Sequence, residues 1–259
     1  MIFYFTGTGN SLYTARSLDD DIRSIPQVMK EKEMVYQADA IGIVCPIYGH
    51  EMPQMVKDFI HRAKLCTPYL YVILTYGNRH ANAVELALKA FRENGYEPAY
   101  AATLLTVDNF LPAFDMNEQK SIDKKEDDQL ERIRQDLKDR RHWLEPVSEE
   151  DRQAHQSYLK QVQGKDASIW ADFKFTDACI GCGICTHVCP AGCIHLEGGR
   201  AVRTGENCQA CFACIQACPL KAIEMNEVCG YTEINPYARY RNPHVTLSQL
   251  TAANHQRED

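Results

Sequence analysis

The sequence predicts an α/β domain on a doubly wound parallel sheet, followed by a second, smaller α+β domain. Three observations predict it. Short apolar runs alternate with stretches of helical periodicity from Met1 to about Arg141, and a hydroxyl- and glycine-rich turn separates the first apolar run from the first helical stretch. Beyond them, cysteines crowd into one segment in two copies of a single spacing.

Residues 2–5, 40–45 and 69–75 are the apolar runs that read as strands, each leading through a turn to a helix beginning near Asn10, Pro53 and His80. Residues 21–25 predict a short additional strand and 99–107 a last one, giving a five-stranded sheet. Between 117 and 141 charged residues dominate, while Ile122, Leu130, Ile133, Leu137 and Trp143 form a narrow apolar stripe that predicts one closing amphipathic helix. The first domain therefore spans residues 1–145. Residues 146–174 are a polar connector with one more short helix, 175–227 hold the cysteine motifs, and 228–259 form a tail rich in Tyr, Asn and Pro, expected to run extended over the surface.

The 259 residues, 45% hydrophobic and 24% charged, suffice for one or two cores. No run approaches the roughly 18 apolar residues of a membrane span, and Met-Ile-Phe-Tyr-Phe leads straight into a glycine loop, so a cytoplasmic protein without a membrane partner is expected. The net charge of -7 disfavours nucleic acid as a partner. Twelve cysteines, ten of them crowded between 179 and 229, with no export signal, favour metal binding over a disulfide scaffold.

The first motif is Cys179, Cys182, Cys185, Cys189 and Pro190; the second is Cys208, Cys211, Cys214, Cys218 and Pro219. Each continues to an apolar anchor, Ile194 or Ile223. Two-residue spacings let three thiolates of one loop converge on three corners of a cubane, and the fourth cysteine of this motif reaches the other cluster. One 4Fe-4S cluster then takes Cys179, Cys182, Cys185 and Cys218, and the other Cys208, Cys211, Cys214 and Cys189. Structural zinc also uses C-x-x-C pairs, but two full copies ending in Cys-Pro fit cubanes better. Over some fifty residues the chain resembles bacterial two-cluster ferredoxins. Cys45, Cys66, Cys193 and Cys229 lie outside the motifs and read as free, packed cysteines, Cys193 being the one close to a cluster; His187 reads as a surface residue.

In the first turn, Thr6-Gly7-Thr8-Gly9-Asn10-Ser11 aims backbone N–H groups and a helix N-terminus at an anion, with the Thr6, Thr8 and Ser11 hydroxyls as further donors. The third glycine of a dinucleotide loop is replaced by Leu12, and the Gly-Lys-Ser/Thr ending of a triphosphate loop is missing, so a phosphate monoester is the physical fit. This loop resembles the phosphate loop of flavodoxins, and the resemblance extends through two further loops over roughly the first 145 residues. It implies FMN. The second loop would supply Pro46, Ile47, Tyr48, Gly49 and His50, with Tyr48 as a stacking partner for the flavin ring, and the third Thr75, Tyr76, Gly77 and Asn78.

The whole chain resembles the flavodoxin and two-cluster ferredoxin fusions found mainly in anaerobic bacteria and archaea. That implies an electron-transfer protein relaying electrons between two 4Fe-4S clusters and FMN, with redox partner proteins that could carry a basic docking patch. The alternatives are an FMN-dependent reductase of a small molecule, with His50, Tyr48, Tyr76 and Cys45 as local candidates for proton donation, and an oxygen-sensing regulator.

Overall fold

The computed structural model describes residues 1–165, 167–205, 207–225 and 238–256. β1 (Ile2–Tyr4) is buried at every position and lies inside the main sheet. It leads through the glycine turn into α1 (Asn10–Leu18), β2 (Ile22–Ser24), α2 (Ile25–Val28) and β3 (Val35–Gln37). Then follow β4 (Ile41–Pro46), α3 (Gln54–Arg62), β5 (Lys64–Cys66), β6 (Leu70–Tyr76), α4 (Ala83–Glu93) and β7 (Tyr100–Leu105). The domain closes with α5 (Met116–Ser121), α6 (Glu126–Lys138) and β8 (Trp143–Leu144).

The sheet order is β2-β1-β4-β6-β7-β8, parallel throughout, with α1 and α6 packed together on one face and α2, α3 and α4 on the other. β3 and β5 form a separate parallel pair. The order of strand addition reverses at β1, with β2 on one side and β4 on the other, and open α/β sheets bind ligands at the carboxyl ends of strands at such a reversal. The register aligns those ends: Tyr4 pairs with Val44, Pro46 with Thr75, and Tyr76 with Leu105. Loops after β1, β4, β6 and β7 therefore share one edge.

After α7 (Glu149–Gln161) and a 3-10 turn (Ala167–Ala171), the smaller unit contains β9 (Phe173–Phe175), α8 (Ile184–His187), β10 (Ile194–Glu197), β11 (Arg200–Arg203), α9 (Ala213–Ala217) and β12 (Ile223–Met225). β9 pairs antiparallel with β12, and β10 with β11, which makes this a small α+β, ferredoxin-like region. The anchors Ile194 and Ile223 are buried on strands, as predicted. A last helix, α10 (Leu247–Asn254), follows.

Four expectations change. The closing helix is two helices: an Asp123 carboxylate accepts the Lys125 N–H and Lys125 takes φ 53, a turn that interrupts the helix and leaves Ile122 exposed. Trp143 belongs to a sixth strand beyond the five expected, where its ring lies 5.8 Å from that of Tyr100. The connector's helix is thirteen residues long, started by a reciprocal capping box between Ser148 and Asp151. The tail, expected to be extended on the surface, instead buries Tyr240, Asn242, Val245, Leu250, Ala253 and Asn254. Its helix packs on α2, where the Ser24 hydroxyl and the Gln27 amide donate to the Ala253 carbonyl. Cys229 and the expected boundary at 227/228 lie outside the described residues.

Candidate functional site

The shared sheet edge opens into a cavity of about 310 Å³. Thr6, Gly7, Thr8, Asn10, Ser11, Pro46, Ile47, Tyr48, Gly49, His50, Thr75, Tyr76, Gly77 and Asn78 all line it, and of the residues predicted to hold a cofactor only Gly9 does not. Gly9 instead sets the loop's shape. It occupies the capping position of α1 at φ 106, which an L side chain adopts only with strain, and no side-chain cap satisfies the first turn of the helix. Those N–H groups suit an anion. The Thr6 hydroxyl accepts the Gly9 N–H at 3.0 Å and the Ser11 and Thr75 hydroxyls meet at 2.9 Å, so the loop is preorganised by its own side chains.

Asn10 counts among the residues predicted to hold a cofactor, but its side chain is committed elsewhere. Its amide donates to the Thr106 hydroxyl at 3.0 Å and the Val107 carbonyl at 3.1 Å, while its oxygen accepts from the Tyr240 hydroxyl at 2.6 Å and the Asn242 amide at 3.2 Å. Asn10 is thus the post to which the loop after β7 and the tail are tied, and only its backbone remains for an anion.

Tyr48 stands at the inner end of the cavity. Its hydroxyl lies 2.8 Å from where a Cβ on Gly7 would be, its ring meets Phe5 edge-on, and burial pushes its phenol well up, with the Cys211 and Cys45 sulfurs adding to the effect. It is placed as a spacer between the cavity and the cysteine loop. Burial likewise pushes the Asp108 carboxyl up, against the opposing pull of the Phe110 N–H and Lys124. His50 is held at φ 69, 4.9 Å from the Tyr158 ring and 5.7 Å from that of His155. Burial brings His50 down to about 4, helped by His155, Arg79 and His80. The buried Nδ1 atoms of His50 and His155 have no hydrogen-bond partner among the described residues.

Much of the remaining wall was not anticipated. Tyr158 and Trp170 come from the connector, with the Trp170 N–H donating to the Tyr158 hydroxyl at 3.2 Å; Asp108, Asn109, Phe110 and Phe114 come from the loop after β7; Ala210, Cys211 and Phe212 come from the second cysteine motif. Only the Ser148-x-x-Asp151 capping box signalled the helix that carries Tyr158.

The eight motif cysteines divide between two further cavities. One is lined by Cys179, Cys182, Cys185 and Cys218, the other by Cys189, Cys208, Cys211 and Cys214, which brings together the crossed sets expected from the motif. Backbone N–H groups of Ala201, Cys193 and Ala222 point at the sulfurs of Cys179, Cys189 and Cys218, at 3.4, 3.3 and 3.2 Å. The loops turn through left-handed residues: Gly181 and Gly183 in the first, and in the second Ala210 and Phe212 at φ 50 and 56. A non-glycine residue in that region costs free energy, and Phe212 is held there with its ring stacked 5.7 Å from Phe110 in the cavity wall. Burial raises the Cys211 and Cys214 thiols, and neighbouring cysteines add to the effect. Four such thiolates are stable together only around positive charge, so the donor set fits an iron-sulfur cluster. Cys45 is fully buried among core side chains and has no chemistry to offer the cavity; His187 is exposed, as expected.

Among the described residues no helix is long and apolar enough to cross a membrane. Residues 172–219 match the family model of the 4Fe-4S dicluster domain. Among curated proteins, one component of an ion-translocating oxidoreductase complex from Methanosarcina acetivorans is 41% identical over 63 residues, 24% of this chain and 22% of that one. A ferredoxin from Pyrobaculum islandicum is 42% identical over 18% of this chain and 45% of its own length. The PorD component of pyruvate synthase from Methanothermobacter marburgensis is 39% identical over 22% of this chain and 69% of its own. The chain thus spans less than half the length of the first two. A candidate flavoprotein of known structure from Bacteroides uniformis aligns with 46% of this chain and 94% of its own, at 14% identity and a TM-score of 0.33.

Proposed function

The C-terminal region of this chain belongs to the 4Fe-4S dicluster family, and from that premise we propose that the protein relays electrons between two 4Fe-4S clusters and an FMN held at the sheet edge. The observation that carries this reading is the shared wall: the backbone of Cys211, a residue of the second cysteine set, lies against Gly7 of the phosphate loop, and Ala210 and Phe212 line the same cavity. FMN would supply two-electron chemistry there, and the clusters one-electron steps.

The chain's own groups divide the work. The uncapped start of α1 and the Thr6 and Ser11 hydroxyls bind the phosphate; Tyr158, Trp170 and Phe110 exclude water from the ring end; Phe212 and Tyr48 keep the cysteine loop in contact with the cavity. The first set faces outward, with Cys182 exposed and Ile180 and Leu220 67% and 47% exposed beside it, so a partner protein exchanges single electrons there. With a chain charge of -7, a basic patch on that partner assists encounter.

Anaerobic purification with iron, sulfide and flavin counts tests the reading. Two four-iron clusters and one FMN per chain are expected; clusters that a partner oxidises while the flavin stays reduced would refute the relay. One observation favours a second reading, reduction of a small molecule at the cavity: the buried Nδ1 atoms of His50, in its wall, and of the neighbouring His155 have no hydrogen-bond partner among the described residues. Turnover of a small electrophile with an artificial one-electron donor as the sole reductant distinguishes it from a carrier.

A further inference from the structure

Residues 185–189 and 214–218 occupy the same place in the two cysteine motifs, and their middle positions differ: His187 in the first, Gln216 in the second. His187 is exposed, whereas Gln216, on α9, is buried. A buried amide needs partners at both ends. The Gln216 Nε2 group donates to the Asn109 carbonyl at 2.8 Å and more weakly to the Met116 sulfur at 3.8 Å, while its oxygen accepts the Tyr240 N–H at 2.7 Å. Every one of these partners lies outside the cysteine region: Asn109 follows β7, Met116 opens α5 and Tyr240 belongs to the tail.

The bonds continue to the phosphate loop and close on themselves. The Asn109 side-chain amide donates to the Thr8 hydroxyl at 2.7 Å, and the Asn242 N–H donates to the Thr8 carbonyl at 2.9 Å. Asn242 stands two residues from Tyr240, so Gln216, Asn109, Thr8 and the tail form a ring of contacts around one side of the loop. Thr8 is buried and lines the sheet-edge cavity. Its hydroxyl accepts from Asn109 and so keeps its one proton to give, and an anion in the cavity is suited to take it. At the other end of the bridge, α9 carries Cys214 and stops at Cys218, one ligand of each cysteine set. A shift of this helix is therefore felt at both.

We propose that Gln216 is a positioning residue that couples the phosphate loop to the cysteine-bearing helix, so that the phosphate held by Thr8 and the two clusters keep each other in place. The inference rests on the FMN and two-cluster reading above. Coupling between sites is reciprocal in binding free energy. A chain without FMN then holds its iron less firmly, and a chain that has lost its clusters binds FMN less tightly. The relay keeps all its centres or gives them up together.

The test is the rate at which an iron chelator strips the full-length protein, kept anaerobic in phosphate-free buffer, read from the loss of cluster absorbance with FMN bound and after its removal. Wild type should lose iron roughly tenfold faster without FMN, a size usual for coupling between sites. Saturating riboflavin, which has no phosphate, should leave the rate near that of the FMN-free protein. Gln216→Met, which keeps the length of the side chain and loses its bonds, should still bind FMN and both clusters but lose iron at one rate in both states. Thr8→Val should do the same from the other end of the bridge, and Thr8→Ser, which keeps the hydroxyl, should restore the wild-type difference. Equal rates with and without FMN in wild type, an undiminished difference in Gln216→Met or Thr8→Val, or full protection by riboflavin would each overturn the proposal. A wild-type protein that binds no FMN or holds no clusters would overturn the reading above and this proposal with it.

Discussion

Gly7 lies against the backbone of Cys211. A Cβ at position 7 would stand 2.6 Å from the Cys211 carbonyl oxygen and 2.8 Å from the Tyr48 hydroxyl, so the phosphate loop and the second cysteine loop touch with no room for a methyl group. Because one obstacle is backbone, Gly7→Ala must push the loops apart, at an overpacking cost of about 1–3 kcal/mol. The variant is expected to be less stable and, on the proposed relay, to retain less FMN and to pass electrons to it more slowly. Flavin per chain, thermal unfolding and the rate of flavin reduction check this; a stable Gly7→Ala protein with full flavin and unchanged transfer would show that the contact carries no function.

Asn10 has its side-chain oxygen shared by Tyr240 and Asn242, more than 200 residues away, and its amide shared by Thr106 and Val107. Tyr240→Phe removes one bond and leaves Asn10 its other acceptor contact, so a loss of about 1 kcal/mol is expected. Asn10→Ala orphans several buried groups together, and about 1–3 kcal/mol is expected. Urea midpoints at constant slope measure both. Equal stability of Asn10→Ala and wild type would mean that the tail does not hold the loop.

The contrast between these contacts explains what could be read in the chain. The Thr6–Ser11 turn and the spaced cysteines are local: their chemistry requires neighbours within a few residues, so the residue types alone reveal them. Tyr158 is a site residue only because its hydroxyl packs over Gly49, and Tyr240 only because it reaches Asn10. Nothing in a polar connector or an aperiodic tail encodes such partners. Thr246 and Gln249 do form a capping box, and that short signal marks α10, although it says nothing of the face that the helix covers. Trp143 fits the apolar stripe of a helix as well as it fits an edge strand, and its packing on Tyr100 decides the matter.

Burial raises the Glu126 carboxyl to about 7, with Asp127 adding to the effect, and its Oε1 has no hydrogen-bond partner among the described residues. Between about pH 4.5 and 7 the folded protein keeps a proton that the unfolded chain has lost, so this group's contribution to stability falls as pH rises through that window. His50, brought down to about 4, acts in the opposite sense: its contribution is lost as pH falls below 6.5. The two slopes partly offset each other in wild type. Glu126→Gln removes the first, so its advantage over wild type should grow from pH 5.5 to 8 to a value on the order of 1–3 kcal/mol. Anaerobic urea unfolding at both ends of the range measures it, and parallel wild-type and variant profiles would exclude the effect.

Cys218 belongs to the second motif by sequence but shares its cavity with Cys179, Cys182 and Cys185, while Cys189 shares that of the second set. Cys218→Ala should therefore abolish the outward-facing cluster, as Cys182→Ala should, and Cys189→Ala should abolish the cluster beside the sheet-edge cavity, as Cys214→Ala should. Each single variant should retain four irons of the eight that a 4Fe-4S dicluster region holds. The paramagnetic signals sort the variants: Cys218→Ala should match Cys182→Ala and differ from Cys214→Ala, whereas ligand sets confined to one motif would pair Cys218→Ala with Cys214→Ala. On the proposed relay, loss of the cluster beside the sheet-edge cavity should also block reduction of bound FMN by an external one-electron donor, because only the outward-facing cluster would remain. Normal flavin reduction in Cys189→Ala would show that electrons bypass the second set.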